Sequence, residues 1–344
     1  MPEQVTAPTT TQNALGFLGR LYQFGRRPNT LLRLIGGIGT NEMGEEVQVG
    51  AGWRRVNNYE YATNVDWELP APSQPDRLEG ADAPDAITYQ PAQTRNVVQL
   101  FHEQVDVSYL AASTIGRMTS SGVLTAGTDP FQYFGRISTQ INAQLGKIAQ
   151  DANYSFLRGV FNNPANPTSE ALRTRGILNA IETNVVSANG EALTDKLLNR
   201  LYREMIDASG VQPTQGLLVI CNTAQLSRIS EIYKGEIQSD QRTIGGNQVR
   251  QIFTAFGVLN IPGDGFEMDM PQDELVFVNP DVVSGVYLPV LDENDSERPA
   301  LFFEELSRDG SKVRGQLYGQ FGIDHGPEFA HAKLTDLEVE SEES

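Results

Sequence analysis

A long amphipathic pattern dominates the middle of the chain. Between residues 131 and 163, apolar side chains recur every three or four positions, at Phe134, Ile137, Ile141, Leu145, Ile148, Ala152 and Phe156. The intervening positions are polar, so the spacing predicts one helix with a single apolar face. Asp129 suits its N-cap, Pro130 its first turn, and Asn163 and Pro164 its end. Such a helix is about 50 Å long and needs an extended surface to cover its apolar side.

A period of two predicts two long strands before this helix. From Tyr59 to Leu69 the odd positions are mostly apolar and the even positions are polar, which predicts one buried face. Residues 96–109 form a second stretch, whose apolar phase switches near residues 101–104, which predicts a bulge or a change of environment there. The roughly 25 residues between the two stretches are too rich in proline for regular structure. Because a lone two-stranded ribbon is marginally stable in water, we expect another surface, such as that of a second subunit, to cover it.

Beyond the long helix, the patterns predict a second lobe. A helix over about 195–208 is capped by Thr194 and stopped by Gly210, and a buried strand at 216–221 leads into the next helix. Residues 234–248 have no apolar period and predict a long loop. Further strands are predicted at 249–256, 258–261, 275–278, 301–305 and 313–321, the last two as a hairpin around Asp309-Gly310.

The N-terminal region has the character of an arm. Residues 28–35 predict a short helical turn. The glycine-rich segment at 36–40 predicts a hinge, because no Gly-Lys-Ser/Thr follows it and no buried strand precedes it, as a phosphate loop requires.

Composition narrows the class of protein. The 344 residues, 39% of them hydrophobic, suffice for two lobes, and the net charge of −18 argues against a dedicated nucleic-acid binder. That charge suits a protein that lies near DNA without adhering to it, although solubility alone also explains it. We expect no membrane span and no secretion signal. The single cysteine, Cys221, excludes an internal disulfide and a cysteine zinc cluster, and a reducing cytosol is its simplest setting.

Candidate catalytic chemistry is sparse. The three histidines, His102, His325 and His331, show no metal-binding spacing and predict structural or surface roles. The acidic segment 292–297 lacks the central glycine of a calcium loop and predicts a solvated turn, with weak cation binding as the alternative. Cys221 lies between a strand and a helix with no evident base nearby, which favours a core role. We expect no catalytic residue, no cofactor and no metal.

Several stretches, in order along the chain, carry a resemblance to a known family. They are Pro28-Asn29-Thr30-Leu31-Leu32-Arg33-Leu34-Ile35-Gly36, Tyr59-Glu60-Tyr61-Ala62-Thr63-Asn64, Leu78-Glu79-Gly80-Ala81-Asp82-Ala83-Pro84, Asn96-Val97-Val98-Gln99-Leu100-Phe101, Val105-Asp106-Val107-Ser108, Arg175-Gly176-Ile177-Leu178-Asn179-Ala180-Ile181 and Glu328-Phe329-Ala330-His331-Ala332-Lys333-Leu334. Over residues 25–337 the chain resembles the major capsid proteins of tailed bacteriophages, in the SU10-like branch of the HK97-type fold.

The resemblance implies an α+β fold with the parts of an HK97-type capsid protein. They are an N-terminal arm (1–50), an extended β-hairpin called the E-loop (51–118), a P domain (119–212) with its spine helix at 131–163, an A domain (213–297), a return to the P-domain sheet (298–337) and an acidic tail (338–344).

The implied function is self-assembly into hexamers and pentamers that form an icosahedral shell around phage double-stranded DNA, without specific DNA binding. The implied location is the virion, after assembly in the host cytoplasm, with scaffolding, portal and decoration proteins as further partners and no membrane. Two alternatives remain: an encapsulin-type cellular nanocompartment, and a cytosolic α/β enzyme that uses Cys221 or the acidic cluster near residue 292.

The resemblance also focuses attention on contacts between subunits. Those expected here are made by Arg26, Arg27, Arg54, Arg55, Tyr59, Tyr61, Trp67, Arg77, Glu79 and Arg95. Some relatives join subunits through an isopeptide bond from an E-loop lysine. Residues 51–118 contain no lysine, so we expect no such cross-link from this E-loop.

Overall fold

The structure is a computed structural model, and it describes most of the chain. The described residues are 28–40, 47–49, 53–66, 72, 74, 76, 78–80, 82, 85, 88–110, 137–210, 213–214, 216–233, 238–244, 247–262, 266–292, 296–307 and 310–339.

The described residues form five helices, one 3₁₀ turn and sixteen strands. The helices are α1 (Thr30–Leu34), α2 (Ile137–Arg158), α3 (Ile177–Ala180), α4 (Asp195–Ser209) and α5 (Thr223–Ile232), with a 3₁₀ turn at Glu328–Ala330. The strands are β1 (Ile38–Thr40), β2 (Val47–Val49), β3 (Arg54–Arg55), β4 (Glu60–Asp66), β5 (Ala92–Val97), β6 (Gln99–Ser108), β7 (Val185–Ser187), β8 (Leu217–Cys221), β9 (Gln238–Ile244), β10 (Asn247–Phe253), β11 (Val258–Pro262), β12 (Leu275–Val278), β13 (Ser284–Tyr287), β14 (Leu301–Glu305), β15 (Lys312–Asp324) and β16 (Ala332–Thr335).

The strands form two seven-stranded sheets and a separate two-stranded ribbon. Sheet I has the order β1-β2-β14-β15-β13-β3, with β6 also paired to β15. Sheet II has the order β7-β16-β12-β8-β11-β10-β9. The ribbon consists of β4 and β5. No helix in the described part of the chain is long and apolar enough to cross a membrane.

Helix α2 lies on sheet I, as its apolar stripe predicts. Ile148, Ala152 and Phe156 are buried in one cluster with Leu317 and Phe321 of β15. Full burial of a side chain such as Phe156 contributes about 1.5–3 kcal/mol. The prediction that this helix packs on the hairpin of β14 and β15 is confirmed.

The C-terminal end of α2 was predicted five residues too late, because the helix ends at Arg158 and not at residue 163. Asn179 donates hydrogen bonds to the backbone oxygens of Arg158 and Gly159, both at 2.9 Å, and so caps the helix from outside. Asn162 then pairs with Arg173 in an isolated bridge. The helix was predicted too long because apolar residues after Gly159 continue the helical spacing in the sequence. The spacing does not reveal that a side chain distant in sequence caps the helix at Arg158. The predicted start at 131 lies outside the described residues.

The first strand of the ribbon agrees with the predicted strand at 59–69, but the second, β5, lies mostly in the proline-rich segment that was wrongly predicted to lack regular structure. Strands β4 and β5 are antiparallel, with a bulge between Ala62 and Asn64. The bulge predicted at 101–104 was wrong, since β6 pairs in unbroken register there and buries Phe101 and Val105 while Leu100 is exposed. The break falls instead at Val98, where the chain leaves the ribbon and β6 begins to pair with β15.

Sheet II contains a hairpin that the sequence pattern missed. Helix α4 begins after Thr194, whose side chain accepts from the Leu197 N–H, and ends at the left-handed Gly210, as predicted. The loop predicted at 234–248 was wrong, because β9 and β10 pair there. Backbone hydrogen bonds alone can extend a sheet, so a polar strand can form without an apolar alternation.

The N-terminal segment packs against the body. Helix α1 forms as predicted, with Leu31 and Leu32 buried beside α2. Gly36 and Gly37 adopt positive φ angles of 105° and 73° and turn the chain into β1. The hinge prediction was therefore wrong for residues 38–40, which form a strand paired with β2.

The two sheets draw on interleaved parts of the chain. Sheet II takes β7 and β16 from outside residues 213–297, whereas β13, from inside that range, lies in sheet I. The domain boundaries implied by the resemblance stay a prediction.

Candidate functional site

The base of the ribbon is tied to one carbonyl group of sheet I. Tyr61 of β4 and Asn96 of β5 lie directly opposite each other in the ribbon. The Tyr61 hydroxyl donates to the backbone oxygen of Ile323 at 2.8 Å, and Asn96 Nδ2 donates to the same oxygen at 2.9 Å. A carbonyl oxygen has two lone pairs, so Ile323 of β15 can accept from both strands of the ribbon.

Asn96 also connects the ribbon to the segment after α2. Its Nδ2 donates to the backbone oxygen of Arg175 at 3.2 Å. Its Oδ1 accepts from the backbone N–H groups of Arg175, at 2.8 Å, and Val97, at 2.9 Å, and from Thr174 Oγ1 at 3.3 Å. Asn96 is fully buried, and these bonds supply the partners that a buried amide needs.

Tyr61 lies within its own subunit. Its side chain is 9% exposed, and burial raises the pKa of its hydroxyl well above the ordinary value. A Cβ at Gly322 would clash with the Tyr61 hydroxyl, so the glycine provides the space for the ring. The contacts of Tyr61 in the structure are therefore within its own chain, and its expected contact with a neighbouring subunit stays a prediction.

Two of the predicted arginines, Arg54 and Arg55, have acidic partners in the same chain. Arg54 forms an ion pair with the buried Asp324, and its Nε donates to Ser284 Oγ at 3.0 Å. Arg55 pairs with Glu297, on the segment that leads to β14. These contacts fasten the strand before the ribbon to sheet I.

The other predicted contact residues lie on or beyond the ribbon. Arg95 pairs with Glu60 across it, at 3.3 Å. Tyr59 and Glu79 are exposed, while Arg26, Arg27, Trp67 and Arg77 lie outside the described residues. Contacts of the predicted residues with a neighbouring subunit stay a prediction.

The sequence interpretation missed the residues that anchor the N-terminal segment. Asn153 of α2 accepts from the Leu32 N–H at 3.0 Å, and Glu267 accepts from the Thr30 N–H at 3.0 Å. Both side chains are fully buried. Burial raises the pKa of Glu267, and the hydrogen bond from the Thr30 N–H opposes that rise. These contacts join residues far apart in sequence, so no local pattern signals them.

Two buried histidines lie where the chain passes from sheet I to sheet II. His331 Nδ1 accepts from the Asn279 N–H at 3.1 Å, so its Nε2 carries the hydrogen and donates to the His325 backbone oxygen at 2.7 Å. His325 Nδ1 donates to the backbone oxygen of Gly326 at 2.8 Å. Burial lowers the pKa of each ring to about 4. Both rings are therefore neutral at pH 7, in agreement with their predicted structural role.

Cys221 is poorly placed for nucleophilic catalysis. It is fully buried in β8, and burial raises the pKa of its thiol to about 12. The thiolate that would act as a nucleophile is thus almost absent at neutral pH.

The two described ends of the acidic segment are hydrogen-bonded to each other. The Asp292 N–H donates to the Ser296 backbone oxygen, and the Ser296 N–H donates to Asp292 Oδ1, both at 2.9 Å. No group of three or more His, Cys, Asp or Glu residues among those described could hold a metal ion.

Solved structures of shell proteins share this fold. The chain is 13% identical to the SrpI encapsulin of Synechococcus elongatus PCC 7942, covering 96% of this chain and 95% of that one with a TM-score of 0.57. It is 11% identical to a capsid chain of cyanophage A-1(L), with coverages of 98% and 99% and a TM-score of 0.56. For the capsid of a native GTA particle the identity is 12%, the coverages are 97% and 96%, and the TM-score is 0.53.

These likenesses establish the HK97-type fold that the sequence resemblance implied. No curated protein matches the sequence. The sequence model of one family, described as SU10 major capsid protein, matches residues 4–338. The chain therefore belongs to the SU10 major capsid protein family.

Proposed function

We propose that this major capsid protein assembles into hexamers and pentamers, which close into an icosahedral shell around phage double-stranded DNA. The ribbon is the observation that carries the proposal. Its strands pair with each other and with neither sheet. A two-stranded ribbon is marginal in water by itself, so contact with a neighbouring subunit accounts for its retention.

The charge distribution supports an assembly role. The net charge of −18 disfavours adhesion to packaged DNA. The ribbon and the segment after α2 border a cavity of about 520 Å³ that is lined in part by Arg95 and Arg175. Arg95 pairs there with Glu60, which also lines the cavity, so the Arg175 guanidinium, which lies over the Phe161 ring, is the group that suits an acidic segment of a second subunit. Individual exposed ion pairs contribute under about 1 kcal/mol, and repetition over a shell multiplies them.

The remaining assignments follow from the same proposal. Residues 1–50, 51–118, 119–212 with 298–337, and 213–297 serve as arm, E-loop, P domain and A domain. Assembly takes place in the host cytoplasm, with scaffolding, portal and decoration proteins as partners. Because residues 51–118 contain no lysine, mature particles should run as a single monomer band on a denaturing gel. A ladder of covalent oligomers that maps to this segment would contradict the assignment.

Expression of the full chain, alone and with its neighbouring genes, followed by negative-stain microscopy tests the proposal. Capsomer rings or closed shells are the expected result. A chain that stays monomeric under both conditions would overturn it.

The encapsulin alternative has one observation in its favour, the shared fold with the SrpI encapsulin. Particle contents separate the two functions. Nuclease-protected DNA in particles from infected cells supports the phage head, whereas DNA-free particles that contain a cellular protein support the nanocompartment.

A further inference from the structure

The Tyr61–Asn96 pair joins both strands of the ribbon to a single atom of sheet I. The two residues are opposite each other in register, and both donate to the backbone oxygen of Ile323. Asn96 adds a second attachment, to Thr174 and Arg175. The base of the ribbon is thus attached to two different elements, β15 through Ile323 and the segment after α2 through Thr174 and Arg175.

We propose that Tyr61 and Asn96 are positioning residues that fix the direction in which the ribbon leaves sheet I. This inference rests on the proposed function, because the direction of the ribbon decides where it meets the next subunit. From Tyr61 to Asp66 the strand extends about 17 Å. A rotation of about 10° at the Ile323 oxygen would therefore displace Asp66 by about 3 Å, enough to change its contacts on a neighbour.

The Asn96→Asp variant tests the attachment with almost no change in shape. Aspartate keeps the oxygen that accepts from the N–H groups of Val97 and Arg175. It loses the two hydrogen bonds that Nδ2 donates to the backbone oxygens of Ile323 and Arg175. Tyr61→Phe removes the other donor to Ile323 and serves as a second, milder variant.

Asn184→Asp is the matched control. Asn184 is also buried, and its Nδ2 also donates to two backbone oxygens, those of Phe329 at 2.8 Å and His331 at 2.9 Å. The chemical change and its cost to folding are comparable. Asn184 precedes β7 of sheet II, so its loss does not touch the base of the ribbon.

The distribution of distances between two spin labels reports the direction of the ribbon. A general loss of stability would not widen this distribution for one label pair alone. One label pair joins the ribbon to the body, at Gln93→Cys and Gln104→Cys, and a reference pair lies within the body, at Gln104→Cys and Val160→Cys. All three positions are exposed, and Cys221 is buried and protonated. The labels are read by double electron–electron resonance on the full-length, unassembled chain.

We expect Asn96→Asp to widen the ribbon–body distance distribution at least twofold and to leave the reference pair unchanged. Tyr61→Phe should widen it less, and Asn184→Asp should leave both pairs unchanged. An unchanged width in Asn96→Asp, or equal widening in Asn184→Asp, would overturn the positioning role.

Particle images test the consequence for assembly. Asn96→Asp particles should vary more in diameter than native or Asn184→Asp particles, and uniform Asn96→Asp particles would overturn that consequence. If the native chain forms no shells, the proposed function fails, while the label distances still decide the role of the pair.

Discussion

The two buried histidines predict a specific loss of stability in acid. Burial holds the pKa of both His325 and His331 at about 4, below the ordinary value of 6.5. The groups that face His325 are Arg175, which lowers its pKa further, and Glu328, which raises it. His331 faces His325, which lowers its pKa, and Glu328, which raises it.

The sign and size of the effect follow from proton binding. Between pH 6.5 and pH 4 the unfolded chain binds protons that the folded chain excludes. The stability due to neutral histidines is thus complete above pH 6.5 and is lost as the pH falls towards 4. From pH 7.5 to pH 5 each histidine should lower the free energy of unfolding by about 2 kcal/mol. Together, His325 and His331 lower the free energy of unfolding by about 4 kcal/mol, whereas the whole free energy of unfolding of ordinary proteins is about 5–15 kcal/mol.

Urea unfolding of the unassembled chain at pH 7.5 and pH 5 measures this loss. His331→Gln should remove about half of the pH dependence, and the double variant with His325→Gln nearly all of the histidine contribution. His102→Gln, which removes an exposed histidine of β6, away from His325 and His331, is the control.

Carboxyl groups also titrate in this range. Burial raises the pKa of Glu267 and Glu274, whose contributions to stability have the opposite sign because they are lost as the pH rises. They are present in every variant, so the difference between variants isolates the histidines. A double variant with the same pH dependence as the native chain would refute the reasoning.

The remaining predictions concern the packing of the body. Gly146→Ala should raise the free energy of unfolding by about 0.5–1 kcal/mol, because Gly146 is an exposed glycine inside α2 with open space for a Cβ. Gly159→Ala should lower the free energy of unfolding by about 1–3 kcal/mol, because its Cβ would clash with backbone oxygens. Thermal melts compare the two glycine variants, and equal shifts in their melting temperatures would contradict the packing. Asn153→Ala should lower the free energy of unfolding, measured in urea, by about 1–3 kcal/mol, because it leaves the buried Leu32 N–H without its acceptor. A variant as stable as the native chain would argue against the anchoring role of Asn153. Cys221 should resist thiol reagents at pH 8 until the chain unfolds, so rapid reaction of the native chain would be inconsistent with its burial.

Periodic patterns in the sequence predicted those elements that bury one regular face. The stripe of α2, the alternation in β4 and the buried run in β8 are local signals, because the same contacts recur at fixed spacing. Such signals fail where a distant group sets the boundary. Asn179 ends α2 from outside the helix, and pairing with β15 moves the strand break to Val98.

The candidate site was only partly predictable for the same reason. The sequence marked the ribbon and several of its residues, including Tyr61, through their alternation. It could not show that Tyr61 and Asn96 converge on Ile323, which is 262 and 227 residues away from them. Nor could it show that Arg54 is neutralised by Asp324 of its own chain.

The positions of β15 and β16 have a consequence for how the chain is made. β15 joins β6, β13 and β14 in sheet I, and β16 joins β7 to β12 in sheet II. Both strands follow all the other described strands of their sheets in the chain, so neither sheet can be completed before they are synthesised. Without β15, strands β6 and β13 lose their link to β14, and without β16, strand β7 loses its link to β12.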